Sequence, residues 1–123
     1  MHTVLKPALA ALVLFGATAL AGAASPTAAT PAPDAIVHIS GFAFKPPTVR
    51  IHTGGTVLFV NDDGDAHTVT ASDKSFDSGG LDTHDRWTHT FTKPGRYEYF
   101  CALHPYMKAV VVVSDAAGSG GER

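Results

Sequence analysis

A thiol, an imidazole and a thioether follow one another at three-residue intervals in the stretch Cys101-Ala102-Leu103-His104-Pro105-Tyr106-Met107. The chain has one cysteine and two methionines, and the other methionine is Met1, so every later sulfur atom lies in this one segment. Thiolate, imidazole and thioether are ligands for a soft or borderline metal ion, whereas magnesium and calcium take oxygen. The same spacing would align the three on one helical face, but Pro105 inside such a helix would cost about 3 kcal/mol. Strand-forming residues also flank the segment on both sides. It is therefore expected as a loop between two strands, turning three side chains toward one point. A metal ion held there still lacks a fourth ligand.

That ligand is expected from another strand end, and His67 is the best placed. It follows the polar run Asp62-Asp63-Gly64-Asp65-Ala66 and opens a β-branched segment. One imidazole nitrogen would ligate while the other is left for an acceptor or solvent to fix. Two histidines and a cysteine in a trigonal plane, with a long axial methionine, make the blue-copper arrangement. Zinc seldom uses methionine. The other histidines do not join this set. His38 and His52 fall at surface strand positions, His84 in a loop, and His89 beside Trp87 and Phe91 as a half-buried residue. Asp62, Asp63 and Asp65 lack the 12-residue spacing and closing glutamate of a calcium loop and are expected as a solvated turn.

The remaining elements must hold these side chains. The 123 residues fit one domain, with 45% apolar and 16% charged content. Residues 1–24 differ from the rest, with Lys6, an apolar run from Ala8 to Leu20, and then Ala21-Gly22-Ala23-Ala24. They are expected to form an export signal cleaved near Ala23 or Ala24. The apolar run is too short for a bilayer span of roughly 20 residues, so no membrane span is expected in the mature form. Removal of that segment leaves 8 Lys+Arg against 11 Asp+Glu, a net charge of −3, which gives no basis for nucleic-acid binding. A lone cysteine in an exported protein has no internal partner for a disulfide in an oxidising compartment, which turns attention to its chemistry.

Residues 25–35 are expected as a Pro/Ala linker. A folded domain over residues 36–114 follows, built of short strands separated by turn residues. Expected strands are Ile36–Ser40, a Phe42–Phe44 piece stopped by Lys45-Pro46-Pro47, Thr48–Ile51, Thr56–Asn61, His67–Ala71, Arg86–Thr92, Arg96–Cys101 and Lys108–Ser114. The four consecutive valines of the last indicate burial on both faces or nearly so. Tyr97, Tyr99 and Cys101 share one face, with Phe100 on the other. Residues 115–123 are Gly/Ser-rich and expected to be a frayed tail. Seven to eight strands without a helix imply an all-β Greek-key β-sandwich.

The run from Tyr97 to Met107 closely resembles the ligand loop of cupredoxins, the type 1 blue copper proteins, and its Cys-x2-His-x2-Met spacing resembles the amicyanin branch. Asn61, six residues before His67, matches the family's asparagine that ties the two ligand loops together. Ala102-Leu103 departs from the Thr-Pro common after the amicyanin cysteine. The resemblance implies the cupredoxin fold, one copper ion on His67, Cys101, His104 and Met107, and an electron-transfer surface of His104, Pro105 and Tyr106. A second route through Phe100 follows from its place beside Cys101. The implied function is a periplasmic one-electron carrier, not an enzyme, acting as a monomer between redox proteins such as a c-type cytochrome or methylamine dehydrogenase. A periplasmic copper-binding or delivery protein is the alternative. A domain of a multicopper oxidase or nitrite reductase is a weaker one, since those need further histidine ligands and a longer chain.

Overall fold

The computed structural model describes residues 2–4, 10–19, 21–22 and 30–115. The chain forms two units, Met1–Thr30 and Pro31–Arg123. In the first, the described residues carry neither helix nor strand, and no helix among the described residues is long and apolar enough to cross a membrane. The expected cleavage point at Ala23 or Ala24, residues 25–29 of the expected linker and the tail beyond Asp115 lie outside the described residues.

The described residues of the second unit form eight strands: β1 (Ala35–Ile39), β2 (Phe44–Lys45), β3 (Thr48–His52), β4 (Thr56–Asn61), β5 (Thr70–Ala71), β6 (Arg86–Thr90), β7 (Gly95–Cys101) and β8 (His104–Ser114). They make two four-stranded sheets, ordered β2-β1-β4-β6 and β3-β8-β7-β5. Each sheet is mixed, because β1 runs parallel to β4 and β3 parallel to β8 while the other pairs are antiparallel. The all-β sandwich read from the strand pattern is the architecture found.

Alternation decides which side chains meet between the sheets. From β1 and β4 come Val37, Ile39, Val57 and Phe59, and from β7 and β8 come Tyr99, Cys101, Met107, Val111 and Val113, all buried. Full burial of such an aliphatic or aromatic side chain contributes about 1.5–3 kcal/mol. Val111 and Val113 face inward and Val110 is buried on the opposite face, so the valine run is covered on nearly both sides.

Most strand ends shift by a residue or two from those expected, with Phe42 and Ala43 outside β2 and β6 ending at Thr90, and three shifts have a visible cause. β1 begins at Ala35, inside the expected linker, because the Asp34 carboxylate accepts the Thr56 amide at 2.8 Å and fixes the entry of the chain. The strand expected over His67–Ala71 keeps only Thr70 and Ala71. The amide of Thr68 donates to the Cys101 sulfur and that of Val69 to Ser78 Oγ, leaving His67 as an isolated bridge to Leu81. β8 starts at His104 instead of Lys108, since Cys101 pairs with His104 across a two-residue turn. Pro105 is tolerated because β3 reaches only from Val110 to Ser114, so its missing amide breaks no bond on that side.

Tyr99 closes the core with an unusual cost. Its ring packs edge-on to Phe44 and Phe59, yet its buried hydroxyl has no hydrogen-bond partner among the described residues. Burial pushes the phenol far above its ordinary range, so it stays neutral. Tyr99→Phe removes an unsatisfied polar atom and is expected to leave stability unchanged or raise it by about 1 kcal/mol. Denaturant unfolding of the two proteins checks this; a loss above about 1 kcal/mol would show that the hydroxyl is satisfied.

Candidate metal centre

The β4–β5 connection and the β7–β8 turn lie at one end of the sandwich and bring the site together. β7 ends at Cys101, whose side chain points inward by the alternation that buries Tyr99. Ala102 and Leu103 turn the chain, and His104 opens β8 facing back. His67 arrives from the other side, fixed by reciprocal backbone hydrogen bonds with Leu81 at 3.0 and 2.7 Å. His67 Nδ1 and His104 Nδ1 each lie 3.6 Å from Cys101 Sγ. The three donor atoms all fall within 4.8 Å of one another. A metal ion with bonds of about 2.0–2.3 Å to nitrogen and sulfur requires such spacing. Met107 is 2% exposed, on the inward face of β8 with Ala109 and Val111, in the same core cluster as Cys101. Instead of sitting in a loop, as expected, it is held by a strand.

Asp63 orients His67. Its carboxylate lies 2.9 Å from His67 Nε2 and also accepts the amides of Gly41 and Phe42 at 2.7 and 2.9 Å. Burial pushes this carboxyl up, but the Phe42 and Gly41 amides and the His67 imidazole outweigh it and hold it below the usual carboxylate range. An ionised carboxylate only accepts, so the Nε2 hydrogen is donated to it and the Nδ1 lone pair faces the sulfur. Asp63 is therefore more than the solvated turn residue expected from the sequence. The same carboxylate holds Gly41 and Phe42 at φ of 61° and 57°. Such a φ is unusual for a bulky residue, and two successive amides on one anion compensate it. Phe42 then lies edge-on to both His67 and His104, at 5.2 and 5.1 Å between ring centroids.

Asn61 is fully buried. Its amide donates to the carbonyls of Asp65 and Leu81 at 2.8 and 2.9 Å, and its oxygen accepts the Asp63 amide at 3.0 Å. It thus ties the Asp62–Ala66 run to the Leu81 segment behind His67. The expected tie to the Cys101 loop is made by Thr68 instead: its amide donates to Cys101 Sγ at 3.3 Å, and its hydroxyl accepts the Ala102 amide at 2.7 Å. Sequence reasoning missed Thr68, Asp63 and Phe42. Only the place of Thr68 next to His67 and of Asp63 four residues before it hinted at them.

The outward residues make an apolar rim. Leu103 is 57% and Tyr106 68% exposed, Pro105 is exposed beside them, and Phe42 is 37% exposed. His104, half-buried, lies among them. Phe100, also half-buried, faces away and lines a groove of about 320 Å3 with Ser72, Arg96 and Lys108. The remaining histidines stay apart from the cluster. His38 pairs with Asp62 at the surface, His52 is exposed, His84 occupies a turn with φ 70°, and His89 stacks on Trp87.

Comparison with known proteins agrees with this geometry. The model of the cupredoxin-like domain matches residues 9–113. Amicyanin-alpha of Methylorubrum extorquens is 35% identical over 111 residues, covering 85% of this chain and 93% of that protein. A solved amicyanin variant in its Cu(I) state superposes with a TM-score of 0.61 at 26% identity, covering 64% of this chain and 80% of that one. The Cu-containing nitrite reductase of Thermus scotoductus superposes with a TM-score of 0.66 at 34% identity over 72% of this chain, but the match spans only 24% of the enzyme. The fold, the two-histidine and cysteine cluster with a buried methionine, and these likenesses converge: the chain belongs to the cupredoxin-like family, as a blue copper electron-transfer protein of the amicyanin-like type.

Proposed function

We propose that the protein is a periplasmic carrier that takes one electron from one redox protein and passes it to another, with His67, Cys101, His104 and Met107 as the ligands of one type 1 copper ion. Bound copper supplies the Cu(II)/Cu(I) couple. The observation that carries this reading is the convergence of two Nδ1 atoms and one sulfur within 4.8 Å, at the end of a packed sandwich. The chain's own residues keep that cluster fixed. Asp63 sets the His67 ring, the Thr68 amide donates to the Cys101 sulfur, and Met107 is locked in β8. Phe42 and the buried positions of His67, Cys101 and Met107 exclude water. Preset geometry keeps reorganisation small, which one-electron exchange requires.

His104 is the one member of the set that is not fully buried, so its edge is the exit. The rim of Phe42, Leu103, Pro105 and Tyr106 is the docking surface, and a c-type cytochrome or a dehydrogenase such as methylamine dehydrogenase is the partner class. Phe100, next to Cys101, offers the second route. Residues 1–24 act as the export signal. Deep burial of three members supports the carrier over a copper-delivery protein, whose site must exchange its cargo.

Two substitutions test the assignment. Met107→Leu keeps the core volume and removes the thioether. The copper-loaded variant is expected to bind the ion but to show an altered absorption spectrum and potential; identical values would remove Met107 from the set. Leu103→Glu places a charge in the rim away from the ligand atoms. It is expected to slow electron exchange with a reduced c-type cytochrome by at least about tenfold while the absorption spectrum stays unchanged. A rate equal to the parent's would move docking elsewhere.

A further inference from the structure

Behind the Cys101 turn, a line of hydrogen bonds leads from the site to the surface. The Ala102 amide donates to Thr68 Oγ1 at 2.7 Å, Thr68 Oγ1 meets Thr70 Oγ1 at 2.8 Å, and Thr70 Oγ1 donates to Asp77 Oδ1 at 3.2 Å. Thr68 is buried, Thr70 half-buried and Asp77 exposed. The carboxylate accepts and cannot donate, so the Thr70 hydrogen points to Asp77. Thr70 must then accept from Thr68, and Thr68 Oγ1 is left to accept from Ala102. Only one order of hydrogens satisfies the whole line. Such chains polarise, each donor making the preceding oxygen a better acceptor.

Thr68 is the joint of this line, because its own amide donates to Cys101 Sγ at 3.3 Å. Whatever fixes the Thr68 side chain also aims that amide at the sulfur. Asp77 is itself pinned by the Gly79 amide at 2.9 Å and by its bridge to Thr70, so the far end of the line is anchored. We propose that Thr68, Thr70 and Asp77 form a polarised relay through which an exposed carboxylate sets the Ala102–Leu103 turn and the amide bond to the Cys101 sulfur, making Thr70 and Asp77 remote positioning residues for the metal centre. Its redox consequence rests on the copper-site reading above, while the order of its hydrogen bonds does not. With the relay cut, the Thr68 amide drifts from the sulfur, negative charge on sulfur is less stabilised, and the oxidised state gains.

The test uses the full chain in two states. In the metal-free protein, amide hydrogen exchange at Ala102 is expected to quicken about tenfold in Thr70→Val and in Asp77→Ala, each of which removes a hydrogen bond from the line. It should stay at the parent rate in Asp73→Ala, an acid on the same connection whose carboxylate accepts from Ser75 and from no residue of the line. In the copper-loaded protein, Thr70→Val is expected to lower the reduction potential and shift the thiolate absorption band, and Thr70→Ser to restore both. Unchanged Ala102 exchange in both relay variants would overturn the proposal. Faster exchange with potential and band unmoved would also overturn it, by reducing the line to a structural brace. A parent protein that takes copper without becoming blue would overturn the functional reading instead, and leaves the exchange result standing by itself.

Discussion

Cys101→Ser is expected to abolish the intense blue colour of the copper-loaded protein. The colour requires a copper–thiolate bond, and Cys101 is the one cysteine in the chain. Copper affinity should fall by more than the roughly 10–100-fold that follows loss of a residue behind the ligands, because a ligand itself is removed. The fold should survive. Serine is nearly isosteric, and the Thr68 amide that now donates to sulfur at 3.3 Å has an oxygen acceptor in its place. Metal-free stability is therefore expected to change by less than about 1.5 kcal/mol. Copper titration followed by absorption, with denaturant unfolding of the metal-free proteins alongside, separates the two effects. A variant that stays blue would remove Cys101 from the site.

Asn61→Leu is expected to produce the largest loss of stability. The side chain is 0% exposed and makes three hydrogen bonds, to the carbonyls of Asp65 and Leu81 and from the amide of Asp63. Leucine fills a similar volume but leaves those three groups without a partner. At about 1 kcal/mol each, the loss is about 3 kcal/mol. The damage should also reach the metal centre, since Asp63 carries His67 and Leu81 brackets it. Copper affinity is expected to drop about 10–100-fold. Unfolding of the metal-free protein reads the first effect and competition with a chelator the second. A change within about 0.5 kcal/mol, the range of an ordinary surface substitution, would show that Asn61 ties nothing together.

How far the sequence disclosed this site depends on whether each contact is local. Cys101, His104 and Met107 announce themselves because three soft donors fall within seven residues of one another, and the flanking strand pattern allows them to converge. The alternation of β7 correctly separates Tyr99 and Cys101 from Phe100. His67 was reachable through its polar loop and strand-end position. Asp63, Thr68 and Phe42 were not, because the contacts that complete their roles come from segments distant in the chain. Phe42 is 25 residues from His67 in the chain and reaches it only because Asp63 holds the Gly41–Phe42 backbone. Thr68 meets Cys101 and Ala102 from more than 30 positions away. The shortness of β5 has the same origin, since the Thr68 amide goes to the Cys101 sulfur instead of a ladder partner. The early start of β8 is local by contrast, a pairing of Cys101 with His104 across the Ala102-Leu103 turn.

The apolar surface around His104 also has a local signature and a non-local completion. Leu103, Pro105 and Tyr106 are neighbours in sequence, whereas Phe42 joins them only through the fold. The departure at Ala102-Leu103 from the usual pair after the amicyanin cysteine becomes physical here. Ala102 spends its amide on Thr68, and Leu103 adds apolar area to the rim.

The central claim is that one buried copper passes single electrons. Stepwise reduction of the copper-loaded protein with a one-electron donor, followed by visible absorption and then reoxidation, tests it most directly. The account predicts an intense blue form with one copper per chain, bleached by one electron per protein and fully restored on oxidation. A colourless copper complex, a second copper bound with equal affinity, or a colour that does not return after reduction would contradict it.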